Sequence, residues 1–185
     1  STTDAGNVHN NTLTISGLNI SARDIFAGYT TGIGNSYNNT VILKNTIANN
    51  NTRAAQVYGG WSAQGNATNN TVTLAGAAGG TANMYLAVYG GGGNGTGKDF
   101  TSGNLLQVQG KGNELWYVRN FEKLKFVLNS DVASGDTMVS NYYSMQDFDW
   151  TKISVENAAT WGTGGTGSQR VRLYTGAGFN LSNYG

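Results

Sequence analysis

The chain has 185 residues, a net charge of +1, no cysteine and no proline. This length suits one domain or a segment of a longer solenoid, and the lack of cysteine excludes disulfides and cysteine-ligated zinc. The 11 basic residues are scattered among 10 acidic ones and form no basic stripe, so we expect no nucleic-acid partner.

The composition favours strands over helices. The chain contains 28 glycines and few glutamates, and its apolar residues alternate with polar ones instead of recurring every three or four positions. No run of about 18 apolar residues occurs, so no transmembrane helix is expected. We therefore expect an all-β protein.

Two short patterns alternate along the first part of the chain. The first is an asparagine pair followed by alternating apolar residues, and its copies start 28 and 31 positions apart: Asn10–Ile15, Asn38–Leu43 and Asn69–Leu74. The second combines an apolar residue, an aromatic residue and glycine, and it lies between copies of the first: Ile25–Tyr29, Val57–Trp61 and Val88–Gly92. A shared period of about 31 residues indicates a repeat in which each unit buries its apolar face on its neighbours.

The repeat predicts a right-handed parallel β-helix. Residues of successive windings would then stack, because equivalent strands pair in parallel. The predicted core ladders are Leu13, Ile15, Val41, Leu43, Val72, Leu74, Leu106 and Val108, with a second column of Ile25, Val57, Val88 and Val118. Asn39 and Asn70 are predicted to form an amide ladder.

We expect one β-helical unit over residues 1–185. Regular repeats of about 31 residues occupy 1–110, and looser, irregular terminal coils occupy 111–185. Alternation continues in the second part and predicts further strands around Leu124 to Leu128, Ile153 to Val155 and Val171 to Leu173.

The aromatic residues of the second pattern are the main candidates for ligand contact. If Val57 and Val88 point inward, their neighbours point outward and could contact sugar rings or a partner protein. The opposite register would bury the rings in the core. The candidates are Phe26, Tyr29, Tyr58, Trp61 and Tyr89.

No cofactor, metal or catalytic site is expected. The segment Gly92–Asp99 resembles a phosphate-binding loop, but Asp99 replaces the required serine or threonine, and a poor helix start follows. His9 is the only histidine, and no serine has the setting of a nucleophile elbow.

The densest acidic residues supply the alternative of a carbohydrate-active β-helix enzyme. They are Asp147, Asp149 and Glu156, and Arg170 and Arg172 follow downstream. Carboxylates beside a basic residue could serve such chemistry if folding brings them into one cleft, whereas the simpler interpretation is a solvated surface.

Three segments resemble passenger domains of bacterial autotransporters, the type V secreted proteins of the pertactin-like class: Val57–Trp61, Gly65–Leu74 and Asn120–Leu128. The resemblance implies an extracellular β-helix at the bacterial surface, tethered to the outer membrane. It also implies a C-terminal membrane β-barrel in the parent protein, which is absent from this chain.

The resemblance and the lack of a catalytic set predict a non-enzymatic adhesin or autoaggregation segment. Its partners would be a host or bacterial surface protein or glycan, or identical chains. Besides an enzyme, two alternatives remain open: a structural stalk or folding-nucleus segment, and an ice-binding β-helix that uses the outward pairs Thr12 with Thr14 and Thr71 with Thr73.

Overall fold

The computed structural model describes residues 6–16, 23–44, 55–76, 86–128, 138–146, 148–157 and 174–175. These residues contain one short 3-10 turn, Trp150–Lys152, and no α-helix. The strands are β1 (Val8–His9), β2 (Thr12–Ser16), β3 (Asp24–Thr30), β4 (Ser36–Tyr37), β5 (Thr40–Lys44), β6 (Ala55–Ser62), β7 (Ala67–Thr68), β8 (Thr71–Leu74), β9 (Leu86–Gly93), β10 (Leu105–Val108), β11 (Asn113–Arg119), β12 (Lys123–Leu128), β13 (Val139–Met145), β14 (Ile153–Asn157) and β15 (Tyr174–Thr175).

The strands form three parallel sheets that the chain visits in turn. The first long sheet has the order β14-β12-β10-β8-β5-β2, the second long sheet has the order β15-β13-β11-β9-β6-β3, and a short sheet has the order β1-β4-β7. Strands that pair are therefore one winding apart in the sequence. The predicted parallel β-helix is confirmed.

The first three windings contribute a strand to every sheet, whereas the described part of the later windings contributes only to the two long sheets. The spacing between aligned residues changes at the same place. Leu105 aligns with Thr71, 34 positions earlier, but Lys123 aligns with Leu105, only 18 positions earlier. Of the later predicted strands, the one at Val171 to Leu173 lies outside the described residues.

Apolar side chains of successive windings stack along the inside of the solenoid. In the first long sheet, Leu13 aligns with Val41, then with Val72 and Leu106, and the last three are fully buried. The neighbouring inward column of this sheet is Ile15, Leu43, Leu74, Val108 and Phe126. Ile25, Val57, Val88 and Val118 form the column of the second long sheet. The windings therefore share one continuous hydrophobic core.

A ladder of asparagines runs beside this core, exposed at Asn11 and fully buried at Asn39, Asn70 and Asn104. The backbone N–H and the side-chain Nδ2 of Asn39 both donate to Oδ1 of Asn70, at 3.0 and 3.1 Å. Asn70 donates in the same way to Oδ1 of Asn104, at 2.8 and 3.3 Å, and Asn11 donates to Asn39 at 3.1 and 2.9 Å. Each amide thus satisfies a backbone donor of the preceding winding, which would otherwise be buried without a partner. The predicted ladder is confirmed.

The asparagine before each member of the ladder has a left-handed backbone. Its φ is 59° at Asn10, 55° at Asn38 and 56° at Asn69, and Gly103 takes the same place in the next winding with φ of 70°. Asparagine and glycine tolerate this region best among the common residues. The asparagine pair of the repeat is therefore a turn residue followed by a ladder residue.

We expect Asn70→Ala to lower the free energy of unfolding by about 3 kcal/mol, because it removes the acceptor of two Asn39 donors and leaves buried polar groups unpaired. Asn69→Gly is the matched control. It keeps the left-handed backbone that Gly103 adopts, so it should cost less than about 1 kcal/mol. Urea unfolding followed by circular dichroism measures both, and equal losses would contradict the role of the ladder.

Candidate functional site

The second long sheet presents its aromatic residues to the outside. Val57 and Val88 are fully buried, and in strands β3, β6 and β9 the next residue points the other way. Phe26, Tyr58 and Tyr89 therefore align on the outer face. The alternative register, in which these rings fill the core, is wrong.

These three rings form a continuous stack across the windings. The centroids of Phe26 and Tyr58 are 5.0 Å apart with 16° between the ring planes, and those of Tyr58 and Tyr89 are 4.6 Å apart with 12°. Both distances match the spacing of neighbouring strands, about 4.8 Å. The rings of Phe26 and Tyr89 cover the two faces of the Tyr58 ring. Tyr58 is therefore only 8% exposed, although it lies outside the hydrophobic core.

A second row of rings packs against the stack. The Tyr29 ring lies 5.0 Å from Phe26, and the Trp61 ring lies edge-on at 5.2 Å from Tyr58 and 5.9 Å from Phe26. Such tilted and edge-on pairs are the favoured geometries of aromatic contacts. Tyr29 is 51% exposed, so this row provides the part of the surface that solvent reaches most easily.

Two successive glycines, Gly59 and Gly60, place Tyr58 and Trp61 on the same face. Tyr58 and Trp61 are three positions apart, and strict alternation would send them to opposite sides of the sheet. A Cβ atom at Gly59 would lie 2.7 Å from the Asn70 side chain, and one at Gly60 would lie 2.6 Å from its Nδ2. Both glycines thus face the interior, where only a residue without a side chain fits against the asparagine ladder.

Gly92 gives the Trp61 ring its place. It aligns with Trp61 in the next winding, and a Cβ atom there would meet the indole at 2.7 Å and the Tyr58 ring at 2.8 Å. The indole thus extends over the next winding and covers the position where a third ring could have stood.

Polar side chains border the rings at one end. Asp24 and Gln56 are aligned neighbours that lie two positions before Phe26 and Tyr58, so they share the outer face. The Tyr58 hydroxyl donates to Oε1 of Gln56 at 2.6 Å. The result is an open groove of about 680 Å³ lined by Asp24, Phe26, Tyr29, Gln56, Tyr58 and Trp61, which we call the aromatic groove.

Burial raises the pH at which the phenols of the stack ionise. It raises the pKa of Tyr58 well above its usual value, and the neighbouring Tyr89 and Asp24 charges raise it further. Burial also raises the pKa of Tyr89, as does Tyr117, while Arg119 opposes the rise. Both hydroxyl groups are therefore hydrogen-bond donors across the neutral pH range.

The acidic residues of the enzyme alternative occupy separate settings. Oδ1 of the exposed Asp149 accepts hydrogen bonds from the Thr151 N–H at 2.9 Å and from its hydroxyl at 2.8 Å, and these bonds lower the pKa of Asp149. Glu156 forms an ion pair with Lys125. Asp147, Arg170 and Arg172 lie outside the described residues. Within the described ranges, no three histidine or acidic side chains group closely enough to hold a metal ion.

Asp99, at the end of the glycine-rich segment, continues a series of hydrogen bonds between successive windings. Along one edge of the windings a backbone N–H donates to an asparagine Oδ1: Asn35 to Asn7 at 2.8 Å, Asn66 to Asn35 at 2.8 Å, and Asp99 to Asn66 at 3.0 Å. Asp99 is the next member of this series, and its Oδ1 accepts from the N–H groups of Thr101 and Ser102. Residues 94–104 contain no helix that could face a phosphate.

His9 lies on an exposed strand, where its ring stacks on Tyr37 at 4.9 Å and 12°. His9 belongs to the short sheet, whereas the residues that line the aromatic groove belong to the second long sheet. His9 thus has an aromatic stacking partner 28 positions later, which no local sequence pattern indicates.

Comparisons with protein-family models, with curated proteins and with solved structures found no match. In the described part of the chain, no helix is long and apolar enough to cross a membrane.

The aromatic members of the groove were candidates from the sequence, but Asp24 and Gln56 were not. A usable signal existed, since both residues stand two positions before an outward aromatic residue. The role of Gly92 could not be predicted either. Nothing in the sequence around this glycine indicates that the Trp61 ring of the preceding winding packs against it.

We expect Tyr58→Phe to reduce the loss of stability at alkaline pH. The fold raises the Tyr58 pKa, so its contribution is present below about pH 10, the unfolded value, and is lost as the pH rises above it. The drop in the free energy of unfolding from about pH 9 to about pH 11 should be smaller in the variant. The variant also loses the hydrogen bond to Gln56, and this loss lowers its free energy of unfolding at both pH values. The change between the two pH values therefore reports the ionisation of Tyr58 alone. An unchanged drop would contradict the burial of this phenol.

Proposed function

We propose that this chain is a non-enzymatic binding segment of a bacterial surface adhesin, carried in an autotransporter passenger domain. The aromatic groove mediates attachment to a surface macromolecule of a host or another bacterium, or to identical chains. The observation that carries the proposal is the outward stack of rings across three windings of a rigid solenoid.

An outward aromatic surface of this kind favours binding. Isolated apolar residues are common on protein surfaces, whereas contiguous apolar patches typically mark interaction sites. The rings already contact one another at 4.6 to 5.9 Å, so a partner would meet a preformed surface. Preorganisation reduces the conformational entropy that binding would otherwise lose.

The sequence supports the cellular context of the proposal. The asparagine and aromatic-glycine patterns resemble autotransporter passengers, and low charge leaves attachment to apolar contacts and neutral hydrogen bonds. The extracellular location and the membrane barrel of the parent protein belong to this same proposal.

The threonine surface supports ice binding less well. Thr12, Thr40 and Thr71 do align, but Leu105 and Lys123 continue their column. In the adjacent column, Ile42 separates Thr14 from a buried Thr73. The regular array of exposed hydroxyls is thus short and interrupted.

The test is attachment of protein-coated beads to a panel of epithelial and bacterial cells and to one another. Beads that carry the chain should attach or aggregate, and the double variant Tyr29→Ala with Trp61→Ala should reduce this at least tenfold. The matched control is Ile33→Ala with Val155→Ala, which removes two exposed apolar side chains outside the groove. Equal attachment by both double variants, or no attachment by the unsubstituted chain, would overturn the proposal.

A further inference from the structure

We propose that the aromatic groove binds a neutral carbohydrate chain. The rings of Tyr29 and Trp61 form an apolar platform for a sugar, and Asp24 and Gln56 hydrogen-bond its hydroxyl groups. This inference rests on the proposed function, because it names the ligand class of the same surface.

The packing of the rings favours a flat ligand over an enclosed one. A cage for an ammonium group needs space between ring faces, since each face lies within about 6 Å of the cation. Here the rings fill that space themselves, with centroids 5.0 Å apart for Phe26 and Tyr29 and 5.2 Å apart for Tyr58 and Trp61. The surface is therefore continuous, and the C–H face of a pyranose ring can lie flat against such a surface.

The polar border matches the edge of a sugar. A hydroxyl group both donates and accepts hydrogen bonds, a carboxylate accepts, and a side-chain amide does both. Asp24 and Gln56 lie side by side in neighbouring strands, so they can reach hydroxyls of one ligand that rests on the rings. Ligand sites typically combine an apolar lining with a few oriented polar groups of this kind.

The charge of the lining selects among carbohydrates. Asp24 is the one charged residue among the six that line the groove. Its negative charge disfavours sialylated, uronic and sulfated sugars, because their anionic groups would approach a carboxylate without a lining cation to compensate. Neutral hexoses and their oligosaccharides incur no such repulsion.

The extent of the platform fits one sugar ring of the chain. Tyr29 and Trp61 align in neighbouring strands, which lie about 4.8 Å apart at the usual strand spacing, a distance comparable with the width of a pyranose ring. The rest of the carbohydrate chain can extend along the open groove.

The experiment measures direct binding to the purified chain. Neutral oligosaccharides built from glucose, galactose, mannose or N-acetylhexosamines are compared with sialylated and sulfated ones, and tetramethylammonium serves as the cation probe. We expect binding of at least one neutral class and at least tenfold weaker binding of its anionic derivative. Trp61→Ala and Asp24→Ala should each weaken binding at least tenfold, and Ile33→Ala should leave it unchanged.

The variant Trp61→Phe distinguishes loss of the binding surface from loss of the fold. It retains an aromatic platform, so it should preserve the circular dichroism spectrum and lose less affinity than Trp61→Ala. Binding that survives Trp61→Ala, or preference for anionic sugars, would overturn the inference, as would tetramethylammonium binding that depends on Asp24. If beads attach to cells through the groove but no neutral sugar binds, the ligand class is wrong while the adhesive function stands.

Discussion

The hydrogen bonds between buried asparagines fix how successive windings lie on one another. Asn70 accepts hydrogen bonds from the backbone N–H and the side-chain Nδ2 of Asn39, and it donates two hydrogen bonds to Asn104. This residue therefore connects its own winding to the winding on either side. A slip of one residue would leave these groups buried without partners and would turn every strand residue to the opposite face. The ladder therefore sets which residues form the core and which reach the surface.

The surface chemistry follows from this register. With Val57 held inside, Tyr58 must lie outside, and repetition in the first three windings builds a column of rings. The ladder also requires glycine at positions 59 and 60, and this pair returns Trp61 to the outer face. The same contacts that stabilise the solenoid thus assemble its aromatic groove, which connects a structural constraint directly to the proposed attachment site.

The sequence predicted the core well because its signals are local and repeated. Alternation identified the columns that contain Val41 and Val72, and the asparagine pair identified the ladder. The outer surface was harder to predict, since the break in alternation at Gly59 depends on contact with Asn70, which lies in the turn between β7 and β8. Alternation alone could have placed Asp24 on the face of Phe26 and Gln56 on the face of Tyr58. That the two polar residues lie side by side depends on the alignment of strands 32 positions apart, which the local pattern does not give.

Engineered disulfides provide the most direct test of the winding register, because the chain has no cysteine of its own. Thr12 aligns with Thr40, so a variant with Thr12→Cys and Thr40→Cys should form an intramolecular disulfide on mild oxidation. Thr14 aligns with Ile42 instead, so Thr14→Cys with Thr40→Cys is offset by two residues and should remain reduced under the same conditions. Equal oxidation of both variants, or oxidation of the offset pair alone, would contradict the stacked windings.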